Sequence, residues 1–237
     1  MKNICLASTS TVHGKPYLSY LHPVMKEVFE AVDEIVFVPY AQPGGLSHDD
    51  YTAKAQEGFD ALNIKVKGIH TFENPFDALK QAKGIFVGGG NTFLLVKTLY
   101  ENNLMECMRD VVTTGIPYLG TSAGSNVAGI NMKNTNDMPI VYPPSFDCMG
   151  LIPFNINAHY MDPDPTSKHM GETRETRIKE FHANEANEVS VLGIREGSWV
   201  RLIGDVITLG GELQARLFQK GKEPVELDSG SDLSKIV

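Results

Sequence analysis

Apolar positions along the first half of the chain follow two alternating rhythms. Short runs rich in β-branched and aromatic residues, at 4–7, 35–39, 64–69, 85–88 and 117–120, predict strands, since a strand buried on both faces reads as a brief continuous apolar stretch. Between them, 17–31, 49–62, 75–82 and 92–113 carry apolar residues at helical spacing, the last broken near Asn102-Asn103 into two helices. Strands that return after helical crossovers pair in parallel, so this alternation predicts a parallel sheet with helices on both faces. The fold class is α/β, a doubly wound and mostly parallel sheet.

The pattern changes after residue 121. A small-residue helix starting near Ser122 leads into 131–153, rich in Asn, Pro and Asp, which predicts an irregular excursion over the surface of the kind that often carries function. A polar helix at 172–183 follows. Apolar runs at 189–194, 199–203, 206–209 and 215–219 then predict strands, joined by tight turns at Gly197-Ser198 and Gly204-Asp205. From Asp228 the chain is expected to fray. No Pro- or Ser-rich linker interrupts the chain, and 237 residues lie within reach of one core, so 1–237 is read as a single domain.

Composition removes several function classes. The formal net charge is −8 and the basic residues are scattered, which disfavours nucleic acid as a partner. No apolar stretch approaches the ~20 residues that cross a bilayer, and Met1-Lys2-Asn3-Ile4-Cys5 runs directly into a strand, not a signal peptide, so a cytoplasmic location is expected. Cys5, Cys107 and Cys148 are odd in number, far apart and in apolar settings, which suits buried thiols better than disulfides or a zinc cluster. No two histidines are spaced as His-x-x-x-His, so neither a metal nor a cofactor is expected. A homodimer is compatible with the sequence and not required by it.

The strongest chemical signal is Gly120-Thr121-Ser122-Ala123-Gly124, directly after the apolar run Ile116-Pro117-Tyr118-Leu119. It fits the G-x-S-x-G nucleophile elbow, in which a serine at a strand's carboxyl end is held on a sharp turn and the next amide, here that of Ala123, can donate to an oxyanion. The bland reading is that small residues merely let a helix pack on the sheet. Gly88-Gly89-Gly90-Asn91-Thr92 also follows a strand, but Phe93 stands where a dinucleotide fingerprint wants glycine, and no Gly-Lys-Ser/Thr follows for a P-loop. An amide of Gly89 or Gly90 facing that of Ala123 across an oxyanion is the preferred reading, with a plain positive-φ turn as the alternative for at least one of the three glycines.

A serine nucleophile needs a base. His159, at the end of Ile156-Asn157-Ala158-His159-Tyr160, has the most suggestive setting; His13, His22, His48, His70, His169 and His182 lie in helical or loop contexts without special company. The base in turn needs a carboxylate, and Asp137 and Glu196 both qualify. Asp137 gives the order serine, acid, histidine, whereas Glu196 closes an apolar strand where a carboxylate can be held rigidly.

Taken together, Val87–Phe93, the elbow, Thr135-Asn136-Asp137-Met138-Pro139-Ile140, Ile156-Asn157-Ala158-His159, Gly171-Glu172-Thr173-Arg174-Glu175 and Glu196-Gly197-Ser198-Trp199 resemble the peptidase E family, and the resemblance runs through nearly the whole chain. It implies a fold like that of class I glutamine amidotransferases, a Ser122-His159-Glu196 triad, and a charge-relay role for Asp137 as a second acid. It also implies a serine dipeptidase for Asp-X substrates, with Arg174 meeting the aspartyl carboxylate and Arg177 assisting or simply pairing with Glu180 or another neighbour. A buried carboxylate requires such a cation. Thr121 departs from the tryptophan often found in bacterial relatives, which implies an altered pocket wall. Two other readings are a cyanophycinase-like hydrolase of β-aspartyl-arginine and a non-catalytic module that binds a small anion.

Overall fold

The computed structural model of the protein describes residues 1–237 except Pro165, Ser167, His169 and Val237. Its strands are β1 Asn3–Ala7, β2 Glu34–Val38, β3 Lys65–Gly68, β4 Ile85–Val87, β5 Tyr118–Thr121, β6 Asn155–Asn157, β7 Val191–Ile194, β8 Ser198–Ile203, β9 Val206–Gly211, β10 Ala215–Phe218 and β11 Val225–Leu227. Its helices are α1 His22–Val28, α2 His48–Asp60, α3 Pro75–Lys80, α4 Thr92–Glu101, α5 Leu104–Thr114, α6 Ala123–Asn126 and α7 Arg174–Ala183. Among the described residues the strands form a seven-stranded sheet, in the order β3-β2-β4-β5-β1-β8-β9, and a four-stranded sheet, β11-β10-β7-β6.

The first five strands of the large sheet are parallel, and β8 and β9 extend it antiparallel through the two-residue turn at Gly204-Asp205. Side chains on the central strands alternate between two cores, as the two-residue period of a strand requires. Ile4 and Leu6 of β1, Val36 and Val38 of β2, and Ile85 and Val87 of β4 join the core that includes α4 and α5. Cys5, Ala7, Ile35, Phe37 and Phe86 join the core formed with α1 and α2. Each large side chain removed from water contributes roughly 1.5–3 kcal/mol, so the sheet is held from both faces. In the second core Phe37 stacks on Phe86 and meets the edge of Tyr51, each at a centroid distance of 4.9 Å, and this fixes the inner face of α2.

One expectation for the second half holds with an addition, and two are corrected. The segment 131–153 is an irregular excursion whose middle runs over the surface, with Met138, Ile140 and Tyr142 exposed, while its start is fastened down. Asn155 Oδ1 accepts from the amides of Ile130 and Asn131, Asn157 Nδ2 donates to the Asn134 carbonyl, and Asn134 Nδ2 donates to the Ile156 carbonyl. Buried asparagines here do what a neighbouring strand would otherwise do for the β6 backbone. The tail beyond Asp228 is docked instead of frayed: the Leu233 amide donates to Ile207, and Leu233 is fully buried because it caps the core beside β9. Thr121 is fully buried in β5, where Ala7 pairs with it, and so it forms no wall of the cleft described below. Two features hold: the helix at 92–113 does break, with Asn103 at φ 57° between α4 and α5, and Cys5, Cys107 and Cys148 are buried free thiols. Burial pushes the Cys5 thiol up to about 12, which keeps it protonated and unreactive. No helix among the described residues is long and apolar enough to cross a membrane.

Candidate active site

Four strand ends build the centre. β1, β2, β4 and β5 all point their carboxyl ends at one edge, where the crevice of an open parallel sheet gathers ligands. Ser122 follows β5 with φ 53° and ψ −112°, backbone that a non-glycine residue adopts only when its surroundings enforce it. The enforcement is visible. The Ser122 amide donates to Ala7, and the Ser122 carbonyl accepts from Ser125 and Asn126. A Cβ on Gly120 would strike the Gly124 carbonyl, and one on Gly124 would strike the Val87 carbonyl, so both glycines of the motif are required for close approach.

His159 reaches the same point from the small sheet. It follows β6, also has positive φ (54°), and donates its backbone amide to Ser8 Oγ, which itself donates to the Ile194 carbonyl at the end of β7. Glu196 lies in the short link from β7 to β8, where the two sheets meet. Among the described residues only Leu18, Asn63 and Asn103 join Ser122 and His159 as non-glycine residues at positive φ, so the strained positions include both members of this pair.

The side chains form a chain of hydrogen bonds. His159 Nδ1 lies 2.7 Å from Glu196 Oε1, and His159 Nε2 lies 2.9 Å from Ser122 Oγ. An ionised carboxylate only accepts, so Nδ1 carries the proton and Nε2 is left to accept from the serine hydroxyl. The His159 and Glu196 side chains are 38 % and 49 % exposed, which leaves their attraction screened by water. Arg195 steadies the link: it grips Asp162 at 2.6 Å and Glu226 at 2.9 Å, tying the segment after His159 to the small sheet. Its hydrogen bonds hold the Asp162 carboxyl below the usual carboxylate range.

Asp137 is elsewhere. Its Oδ2 accepts from the Thr92 amide, at the start of α4, at 2.7 Å and from Thr135 Oγ1 at 3.1 Å. Arg174, the first residue of α7, is half-buried and forms no ion pair among the described residues. Burial and the neighbouring Arg177 lower its affinity for its proton, and the Asp137 carboxylate opposes them, which places all three charges in one electrostatic neighbourhood. Arg177 pairs loosely with Glu172 at 3.6 Å. Arg174 and Arg177 line a cleft of about 290 Å³ with Met161–Asp164 and Gly171–Thr173.

Among the described residues the amides of Gly89, Gly90 and Ala123 donate to no backbone carbonyl. Gly90 has φ 139°, and a Cβ there would collide with the Ala41 carbonyl. With four residues, α6 is too short for a useful helix dipole, so any contribution from Ala123 is that of its own N–H. No motif marks what holds the glycine turn: Tyr51 Oη at 3.1 Å and Gln42 Nε2 at 3.0 Å both donate to the Gly89 carbonyl. In a trans peptide the carbonyl and the following N–H point oppositely, so anchoring the Gly89 carbonyl also aims the Gly90 amide. Tyr51 and Gln42 lie far from the motifs, and only the position of Gln42 just beyond β2 marks it. Ser8, just beyond β1, was findable by the same rule.

Of the other histidines, His22 bonds the Gly58 carbonyl, His70 pairs with Asp49, His182 bonds the Val189 carbonyl, and His169 lies outside the described residues. Among the described residues no group of three or more His, Cys, Asp or Glu side chains is placed to hold a metal ion.

The sequence profile described as Peptidase family S51 matches residues 4–210. A protein named Peptidase E from Streptomyces coelicolor is 48 % identical over 235 residues, covering 99 % of this chain and 95 % of its own. One from Drosophila melanogaster, named "Probable alpha-aspartyl dipeptidase", is 43 % identical over 239 residues, covering 100 % and 98 %. The crystal structure of a peptidase from an acI-B1 Actinobacterium shares the fold at a TM-score of 0.72 and 16 % identity, covering 98 % of this chain and 96 % of that one. With a profile match over most of its length and relatives above 40 % identity from end to end, the chain belongs to peptidase family S51.

Proposed function

We propose that the protein is a serine dipeptidase that hydrolyses Asp-X dipeptides through an acyl-enzyme on Ser122. The observation that carries this reading is the Ser122–His159–Glu196 relay, with unpaired amides beside the serine. His159 Nε2 takes the hydroxyl proton as Oγ attacks the aspartyl carbonyl carbon, and Glu196 stabilises the imidazolium that results. The new oxyanion faces the amide of Ala123 and that of Gly90 or Gly89. Collapse breaks the peptide C–N bond, and His159 returns its proton to the leaving amine. Water then attacks the ester, with His159 again as base, and aspartate is released.

Selectivity for aspartate needs a cation that is not already neutralised, and Arg174 is available for it. A planar guanidinium meets a carboxylate through two charge-assisted hydrogen bonds, and Arg177 adds positive charge beside it. In this reading Asp137, whose charge acts on the neighbouring Arg174, takes the substrate's free ammonium, a role that differs from charge relay. The names of the Streptomyces and Drosophila relatives support the same substrate class. Every residue invoked comes from one chain, so the reading treats 1–237 as one catalytic unit without need of a second subunit. Three buried free thiols suit a reducing compartment, and a cytoplasmic location completes the proposal.

Turnover of Asp-Leu, Ala-Leu and β-Asp-Arg at equal concentration tests the reading. Asp-Leu is expected to be preferred, and Arg174→Met to lower its kcat/KM by at least ~10-fold as a partly desolvated ion pair is lost. Equal rates on Asp-Leu and Ala-Leu would remove the aspartyl specificity, and a preference for β-Asp-Arg would reassign the substrate.

A further inference from the structure

The dipeptidase reading leaves the leaving group without a partner. A second cleft, of about 250 Å³, opens beside Ser122 and His159 and shares no lining residue with the arginine cleft. It is smaller than the ~300–1,000 Å³ typical of drug-sized ligands, a size suited to a single amino-acid residue. Its far wall carries Tyr17, Leu46, Tyr51 and Lys54. A larger cavity of about 510 Å³ lies behind Glu196 and is lined by Val12, Lys15, Tyr20 and Trp199.

Lys54 is the cation of this wall. Its ammonium lies 5.1 Å from the centre of the Tyr17 ring and forms no ion pair among the described residues. The wall is fixed in advance: the Tyr51 hydroxyl is anchored on the Gly89 carbonyl, and the Tyr17 hydroxyl is buried. A ring face holds an ammonium in place without neutralising it, which leaves Lys54 free to meet an anion. In a dipeptide whose scissile carbonyl sits at Ser122, the residue being released carries a carboxylate one residue beyond the scissile nitrogen. The geometry points to Lys54 as the residue that recognises this free C-terminal carboxylate, with Tyr17 and Leu46 as walls for the released side chain. This rests on the Asp-X reading and deepens it: one cleft selects aspartate, and the other selects a chain that ends after the next residue.

The experiment compares kcat/KM for Asp-Leu and its C-terminal amide in the wild type, Lys54→Met and Lys54→Arg. Lys54 is on the exposed face of α2, so these variants are expected to fold. The wild type should prefer the free acid by about 10-fold, the size of one charge-assisted contact. Lys54→Met should erase that preference through a raised KM, and Lys54→Arg should restore most of it. A wild type indifferent to the terminus, or a Lys54→Met variant that keeps the preference or loses both substrates equally, overturns the inference while leaving the dipeptidase reading intact. Turnover of neither substrate by the wild type sinks both.

Discussion

Ser122→Ala is expected to lose at least ~10⁴-fold in turnover of Asp-Leu while keeping its fold and its affinity for the substrate. The size follows from the absence of a substitute nucleophile: the neighbouring hydroxyls of Ser8 and Ser125 are committed to the carbonyls of Ile194, Ala7 and Gly120. The fold should survive because, among the described residues, the only side-chain hydrogen bond lost is the one to His159, whose ring is part-exposed and can bond water instead. Alanine tolerates the elbow backbone no worse than serine, so the stability change should stay within about 0.5 kcal/mol. Steady-state rates, thermal unfolding and equilibrium binding read these three quantities separately. Retained turnover would exclude the acyl-enzyme route, and retained binding without any wild-type turnover would favour a small-anion-binding module.

The second large effect separates the two acids. Glu196→Gln keeps the shape of the side chain but presents an amide that can donate to His159 Nδ1, which favours the tautomer whose Nε2 carries a proton and can no longer accept from Ser122. A buried triad acid changed in this way costs about 10⁴-fold. Glu196 is 49 % exposed, so water competes for the ring nitrogen and weakens the bias, and a loss of roughly 10²–10³-fold in kcat is the expectation here. Asp137→Asn should cost far less in kcat and appear mainly in KM, because its carboxylate caps the Thr92 amide and not the imidazole. Parallel kcat and KM measurements on the two variants check this, and a larger kcat loss for Asp137→Asn would exchange their roles.

Much of this centre was legible in the sequence for physical reasons. The elbow could be read because Gly120 and Gly124 are dictated by carbonyl oxygens pressing on them, and such close approach leaves no other residue type. The parallel strands could be read because two-sided burial demands unbroken apolar runs. What escaped was whatever polar residues do inside. The pattern assigns no strand at β6, since Asn155 and Asn157 interrupt its short apolar run, yet their side chains fasten 130–136 and thereby set the position of His159. The docked tail escaped because a single buried leucine, Leu233, leaves no periodic trace. The choice between Asp137 and Glu196 stayed open because spacing along the chain carries no information about which acid the second sheet brings to the histidine. The Tyr51 and Gln42 contacts to the Gly89 carbonyl arise from two segments with no motif at all.

Mass spectrometry of the protein quenched in acid during turnover of an activated aspartyl ester tests the central claim most directly. The account predicts one aspartyl group, in ester linkage, on the peptide containing Ser122 in the wild type and none in Ser122→Ala. An aspartyl group on any other residue, or full turnover with the Ser122 peptide never modified, would contradict it.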